Sequence, residues 1–93
     1  MYKFKIEDEL AKILTKLKKK DNPQYNKIRN KIKEVVNSNN IDHYKNLRND
    51  LKDYKRAHIG SFVILFRFDR LEDKIYFVYY NHHDNVYKWK TKN

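Results

Sequence analysis

The sequence has no cysteine and only one glycine and one proline in 93 residues. Without cysteine it can form neither a disulfide framework nor a thiolate metal site, which fits a reducing compartment. A single glycine excludes glycine-rich phosphate loops, dinucleotide-binding fingerprints and nucleophile elbows, which need more than one. No apolar run approaches the roughly 18 residues of a membrane span, and the amino terminus lacks a signal-peptide core. We therefore expect a soluble, cytoplasmic protein with no membrane association.

Acidic residues are outnumbered by basic ones. The chain carries 22 Lys plus Arg against 12 Asp plus Glu, a net charge of +10. In so short a chain this excess indicates contact with phosphate, with an acidic protein partner, or with both. The alternative is a lysine-rich composition that serves only solubility. The length fits one small domain over residues 1–93, with a modest core.

Two apolar runs in the second half of the chain predict consecutive antiparallel strands. Gly60 stands where a two-residue type II′ hairpin requires it, which places Ile59 opposite Phe62. A tight turn at Leu71-Glu72 then places Asp69 opposite Lys74. Counting outward from these turns assigns the side chains to two faces. The predicted apolar face holds Ala57, Ile59, Phe62, Ile64, Phe66, Phe68, Ile75 and Phe77. The predicted polar face holds Tyr54, Arg56, His58, Val63, Leu65, Arg67, Tyr76, Val78, Tyr80 and His82.

The first half of the chain predicts a strand and two helices. Residues 2–6 alternate apolar and charged side chains, typical of a short edge strand. Apolar residues spaced as in an amphipathic helix follow from Leu10 to Leu17. Asn22 as cap and Pro23 as the first helical residue predict the start of a second helix. We expect the helices to form an antiparallel hairpin over the apolar face, giving an α+β fold that ends in a short C-terminal tail.

A polar loop separates the helices from the strands and covers residues 37–50. Ile41, Tyr44 and Leu47 are its isolated apolar residues and are expected to pin it to the domain. His43 is interpreted as a surface histidine of this loop.

Titratable side chains gather at one end of the predicted sheet. Cleaving RNA without a metal requires a base, an acid and cations that hold the phosphate, and histidine suits both proton roles. The candidate catalytic residues are His58, His82, His83, Tyr87 and Arg56. The candidate RNA- and phosphate-binding residues are Lys55, Arg67, Lys88, Trp89 and Lys90. The alternative is that these side chains form only a hydrogen-bonded polar layer.

A metal site at His82-His83-Asp84 is a weaker hypothesis. Adjacent residues on a strand point to opposite faces, and the usual zinc spacings are missing. We therefore expect neither a metal nor a cofactor.

The order of strand, two helices, polar loop and three-stranded meander resembles the RelE/ParE superfamily of type II toxin–antitoxin toxins. The resemblance rests most on the hairpin segment Tyr54–Phe66 and the closing segment Asn81–Lys88, and it covers nearly the whole chain. For RelE-like members it implies an mRNA interferase that enters the ribosomal A site and cuts the message. It also implies a RelB-like antitoxin that wraps the toxin in a hetero-oligomer. ParE-like members share the fold but inhibit gyrase.

The same resemblance implies roles for particular positions. Arg56 and His58 match basic positions before the glycine, His83 matches a frequent catalytic arginine, and Tyr87 matches a recurring tyrosine. Val63 departs from the family, which commonly has an arginine there. A histidine-driven mechanism, as in the YoeB-like and YafQ-like branches, is therefore expected.

Overall fold

A computed structural model describes residues 1–89 of the chain. The four strands of this part are β1 Lys3–Ile6, β2 Lys55–Ile59, β3 Phe62–Asp69 and β4 Lys74–His82. The two α-helices are α1 Asp8–Lys20 and α2 Asn22–Val36. Short 3-10 turns form at Ile41–His43, Asn49–Leu51 and Val86–Lys88. The predicted α+β class and element order are confirmed. Neither helix is long and apolar enough to cross a bilayer, nor is any other within residues 1–89.

The sheet is mixed, with the strand order β1-β4-β3-β2. The pairs β2–β3 and β3–β4 are antiparallel, as predicted for the meander. β1 lies at the sheet edge, also as predicted, and it pairs in parallel with β4. A parallel pair needs a long connection, and both helices, the polar loop and two strands supply it here.

Local charges and caps explain where the helices begin and end. α1 has Asp8 and Glu9 in its first turn and the basic run Lys18–Lys20 in its last, which complements the helix dipole. The cap of α2 was predicted one residue too late. Asp21 is the N-cap, because its side chain accepts the backbone N–H of Gln24 at 3.1 Å. Asn22 is already helical.

The two helices bury the apolar face of the sheet. Six of the eight side chains predicted for this face are buried in one cluster with both helices: Ala57, Ile59, Ile64, Phe66, Ile75 and Phe77. Phe62 and Phe68 pack at its margin. On the helix side, Leu10 and Ile28 are fully buried. Since burying one such side chain contributes about 1.5–3 kcal/mol, this cluster is the main source of stability.

Both predicted turns place their flanking residues correctly. Gly60 has a φ of +63°, whereas Ser61 is not among the residues with positive φ, as a type II′ turn requires. Ile59 lies opposite Phe62, and Asp69 opposite Lys74.

A β-bulge between these turns corrects the predicted register of β4. Leu65 pairs with Tyr79 and Val63 with Asn81, whereas counting from the predicted Asp69–Lys74 pair places Val78 and Tyr80 opposite them. Val78 is therefore the extra residue on β4. One extra residue reverses the facing of every later side chain.

The reversal moves Tyr80 and His82 off the face on which they were predicted. Tyr80 joins the main core beneath the helices and is 6% exposed. The ring of His82 meets the edge of Phe62 with centroids 5.5 Å apart. Both side chains therefore lie on the helix side.

The second face is partly covered, which the sequence did not predict. Leu47 and Leu51 from the polar loop and Val86 from the tail bury a smaller cluster with Val63 and Leu65. The prediction that Ile41 and Leu47 pin the loop is confirmed, since both are buried. The uncovered part of this face lies between the polar loop, the Gly60 hairpin and the C-terminal tail.

Candidate functional site

A cavity of about 450 Å³ opens at this end of the second face, and we call it the cleft. Arg56, His58, His83 and Tyr87 line it, and Val63, which is fully buried, lies beneath them. Four of the five candidate catalytic residues thus meet at one cavity. They come from β2, from the end of β4 and from the tail.

The Gly60 hairpin and the end of β4 bring the two histidines together. Arg56 and His58 are two residues apart on β2, so both side chains leave the same face. The backbone N–H of His83 donates to the carbonyl of Ser61 at 3.0 Å. This hydrogen bond fixes His83 beside the hairpin that follows His58.

Tyr87 is positioned by the buried Val86 beside it and by Arg48 of the polar loop. The backbone N–H of Arg48 donates to the Tyr87 hydroxyl at 3.1 Å, and its guanidinium lies 5.9 Å from the ring centroid. Desolvation raises the pKa of this phenol. Hydrogen bonds from Arg48 and the charges of Arg48 and Arg56 outweigh it, so the net pKa of Tyr87 is lowered. Tyr87 is therefore a stronger proton donor than an ordinary tyrosine.

The charge around the cleft suits an anion. Among the described residues that line it, none is acidic. Arg56 supplies a permanent positive charge on its wall, and Arg48 stands behind Tyr87. A phosphodiester entering the cleft would meet hydrogen-bond donors on several sides.

A second opening of about 430 Å³ adjoins the cleft. Arg56 and His58 line both, so these two side chains form the ridge between them. The ring pair His43 and Tyr44 lines the second opening, with ring centroids 4.3 Å apart. Lys45 and the ion pair between Lys31 and Glu34 line it as well. Cations and aromatic rings together are what a single nucleic acid strand contacts.

Two of the predicted phosphate-binding residues lie away from the cleft. Lys55 is 7% exposed and faces the main core side of β2. Its ammonium donates to the carbonyl of Tyr44 and the side-chain oxygen of Asn46. Arg67 lies toward the opposite end of β3, with its guanidinium 4.0 Å from the ring centroid of Tyr76.

The predicted residues of the tail are divided. Trp89 packs inside the domain, stacked on Tyr79 with centroids 5.1 Å apart, and its indole N–H donates to Glu9. Lys88 is exposed next to Tyr87. Lys90 lies outside the described residues.

The chain turns sharply after His82, and this brings three potential metal ligands together. His82, His83 and Asp84 each offer a ligand atom, and these atoms lie within 4.8 Å of one another. The expectation that adjacent side chains diverge is wrong here, because β4 ends at His82 and strand alternation ends with it.

Arg48, which positions Tyr87 from behind the cleft, is a residue that the sequence analysis missed. It lies in a polar loop where single charged residues carry no pattern. Its only signal is position, between Leu47 and Leu51, two apolar residues that anchor the loop to the second face.

Comparisons with known proteins agree on one family. The family described as "ParE toxin of type II toxin-antitoxin system, parDE" matches residues 2–87. "Putative toxin RelE4" of Methanocaldococcus jannaschii is 45% identical over 91 residues, 97% of this chain and 95% of that protein.

Two solved structures share the fold. The isolated Escherichia coli RelE toxin matches with a TM-score of 0.71 and 17% identity, over 99% of this chain and 97% of that one. A chain of the Mycobacterium tuberculosis toxin–antitoxin complex RelBE2 matches with a TM-score of 0.60 and 19% identity, over 88% and 98% of the two chains.

Proposed function

This chain belongs to the RelE/ParE superfamily of type II toxins, and on that premise we propose that it is an endoribonuclease. The proposed substrate is mRNA in the ribosomal A site, and a RelB-like antitoxin holds the enzyme inactive until it is needed. The proposed place of action is the cytoplasm, where translating ribosomes are found.

The observation that carries this proposal is the meeting of two imidazoles, a guanidinium and a phenol at one cavity. His58, His83, Arg56 and Tyr87 are contributed by three separate parts of the chain. A chance polar layer would be expected along the whole face. Between the cleft and the Arg67–Tyr76 pair at the far end, this face is instead covered by an apolar cluster.

These groups provide each requirement of metal-independent RNA cleavage. The 2′-hydroxyl of a ribose attacks the adjacent phosphorus, and a base must take its proton. The 5′-oxygen leaves and must gain a proton, giving a 2′,3′-cyclic phosphate and a 5′-hydroxyl. One imidazole of the pair His58 and His83 serves as the base, and the other imidazole or the phenol of Tyr87 serves as the acid. Arg56 stabilises the charge on the pentacoordinate phosphate.

The position of Val63 supports a mechanism that does not need an arginine there. Its side chain is fully buried beneath the cleft, so it touches the floor and cannot reach a bound phosphate as a guanidinium would. Arg56 on the wall of the cleft supplies the cation instead, and Arg48 acts on the cleft through Tyr87.

The surroundings favour a polymer over a small phosphate ester. The second opening continues from the cleft across Arg56 and His58, and it presents Lys45 together with Lys31, which is ion-paired with Glu34. A strand cut in the cleft has a cationic path along which its next nucleotides can lie. The net charge of +10 favours the same kind of ligand.

The antitoxin partner is supported by family membership and by one structural relative. RelBE2 of Mycobacterium tuberculosis is described as a toxin–antitoxin complex. We propose a hetero-oligomer of the same kind for this chain, with a RelB-like protein that covers the basic surface.

A cleavage assay on ribosome-bound mRNA tests the proposal. Wild-type protein should cut the message in the A site, mapped by primer extension. His83→Ala should slow the single-turnover rate at saturating protein by roughly 10²- to 10⁴-fold, the usual contribution of a general acid or base. His43→Ala is the matched control, because this exposed histidine lies outside the cleft and should leave the chemical step intact.

A second pair of variants tests Tyr87. Tyr87→Phe should lower the cleavage rate, whereas Tyr76→Phe should not, because the Tyr76 hydroxyl contacts the exposed Glu72. Growth arrest by the wild-type protein without any cleaved mRNA would refute the proposed nuclease activity.

The alternative is a non-enzymatic gyrase inhibitor or RNA-binding module, which the ParE description of the matching family favours. In that case His83→Ala and Tyr87→Phe should both remain toxic. Reversing the charge of Lys12, Lys16 and Lys27 on the helices should abolish toxicity. A supercoiling assay with purified gyrase separates gyrase inhibition from RNA binding.

A further inference from the structure

We propose that His82, His83 and Asp84 form a Zn²⁺ site at the mouth of the cleft, and that a bound ion inhibits the protein. The three residues are consecutive at the turn where β4 ends. Their imidazoles and carboxylate are the ligands that zinc accepts from nitrogen and oxygen. The ion binding stands on geometry alone, whereas the inhibition rests on the proposed RNA cleavage.

The distances around Asp84 already match a shared ion. Its two carboxylate oxygens lie 3.0 Å from the Nδ1 of His83 and 3.5 Å from the Nδ1 of His82. With bonds of about 2.0–2.1 Å, two ligands of a tetrahedral zinc ion are separated by about 3.3 Å. Each imidazole nitrogen is therefore close to this spacing from one carboxylate oxygen, a different oxygen for each ring, and all the ligand atoms lie within 4.8 Å of one another.

The two histidine rings lie against each other next to this carboxylate. Their centroids are 4.4 Å apart, with an interplanar angle of 30°. The Nδ1 of His82 accepts the backbone N–H of Asp84 at 3.1 Å, so its lone pair faces the turn. An ion would replace this hydrogen bond with a coordinate bond from the same nitrogen.

The proposed ligands are exposed to solvent, so an ion can enter the site and keep one position for water. The side chains of His83 and Asp84 are 52% and 73% exposed, so an ion can reach them from solvent and both can rotate toward it. Three protein ligands leave the fourth tetrahedral position open. Mg²⁺ prefers oxygen ligands and octahedral geometry and should not compete.

Inhibition follows from the place of His83 in both arrangements. It lines the cleft with His58 and is also a ligand of the proposed ion. An imidazole bound to zinc cannot exchange a proton with RNA. The ion would therefore switch off cleavage without closing the cleft.

Calorimetry on the untagged full chain tests the site without any activity measurement. Wild-type protein should bind one Zn²⁺, and millimolar Mg²⁺ should not displace it. Asp84→Asn should weaken binding by roughly 10- to 100-fold, as losing even an outer partner of a ligand does. Asp73→Asn is the matched control, since Asp73 is exposed at the opposite end of β4. No binding by the wild type, or equal binding by Asp84→Asn, would overturn the proposal.

A further control asks whether another histidine binds the ion. His43→Gln should bind Zn²⁺ like the wild type. Loss of binding in this variant would place the ion in the second opening and would also overturn the proposal.

Cleavage assays then test inhibition, with each rate normalised to the same variant without metal. Zn²⁺ at a concentration that saturates the wild type should stop its cleavage and spare that of Asp84→Asn. Equal inhibition of both variants would overturn the inhibitory role. If the wild type cuts no RNA under any condition, the proposed function fails, while calorimetry still decides the metal site.

Discussion

Removing the hydroxyl of Tyr80 tests the β-bulge that places this residue under the helices. Its oxygen accepts the side-chain amide of Gln24, and its ring stacks on Phe62 with centroids 5.2 Å apart. Burial raises the pKa of the phenol, so it stays neutral and keeps this contact at physiological pH. Tyr80→Phe leaves the ring in place and removes only the hydrogen bond.

The expected loss is modest and specific. One such hydrogen bond contributes about 0.5–1.5 kcal/mol, and a buried donor left without a partner costs about 1–3 kcal/mol. Gln24 is only half-buried, so water can replace the hydroxyl in part. We expect the free energy of unfolding to fall by about 1 kcal/mol and the Tm by roughly 4–8 °C.

Urea unfolding followed by circular dichroism measures this loss, and a double-mutant cycle assigns it. Gln24→Met removes the donor, and the double variant should recover a coupling energy of about 1 kcal/mol, since both polar partners are then gone. Tyr76→Phe is the control and should change stability by less than about 0.5 kcal/mol, because its hydroxyl is exposed.

Two results would refute the reasoning. One is a coupling energy between Gln24 and Tyr80 within the roughly 0.3–0.5 kcal/mol by which independent sites deviate. The other is a Tyr80→Phe variant with normal stability and reduced RNA cleavage. That pattern belongs to a sheet without the bulge, in which Tyr80 would share a face with His58.

Three further perturbations test the loop, the hairpin and an ion pair. Lys55→Met should lower the free energy of unfolding by about 1–3 kcal/mol, because the acceptors of its ammonium lose their donor. It should leave the cleavage rate unchanged. A slower rate would mean that Lys55 takes part in RNA binding or cleavage after all. Gly60→Ala should cost about 1–2 kcal/mol by urea unfolding, from its φ of +63° alone, since no heavy atom lies within 4 Å of an added Cβ. Unchanged stability would contradict the assigned turn. Finally, a hydrogen bond from Arg70 lowers the pKa of Asp42 below its usual 3.8, more than desolvation raises it. A carboxyl group whose pKa is lowered on folding stabilises the fold at pH values above its ordinary pKa. This stabilisation is lost as the pH falls through the pKa of the folded state. Asp42→Asn should therefore lose less stability than the wild type on acidification below about pH 4, and a parallel loss would contradict this assignment.

Short-range patterns predicted the elements and most of their contacts. The spacing of apolar residues from Leu10 to Leu17 predicts an amphipathic helix, which the structure confirms as α1. Gly60 determines the β2–β3 register, because a two-residue loop allows only one alignment of its strands. From that register the apolar face followed, and the buried Ile64 and Phe66 confirm it.

The errors have a common physical origin. No local signal marks Val78 as the extra residue of a bulge, because it stands within an unbroken run of apolar and aromatic residues from Ile75 to Tyr80. The bulge is stabilised only when Tyr80 fills the helix side and Val78 fills the smaller cluster, and both contacts are long-range. The predicted register between β3 and β4 was therefore wrong by one residue from Leu65 back to Phe62, although both turns were correct.

The candidate site, too, was predicted from the sequence only in part. Residue chemistry and the family resemblance together named Arg56, His58, His83 and Tyr87 as candidates, since few side chains can move protons and hold phosphate near neutral pH. Their meeting at one cavity, the addition of Arg48 and the turning away of His82 depend on how the loop, the bulge and the tail pack on the second face. The sequence thus determined which chemistry was present. Only the tertiary structure decided which of these groups meet at one cavity, because side chains far apart in the chain are brought together by packing that no local pattern encodes.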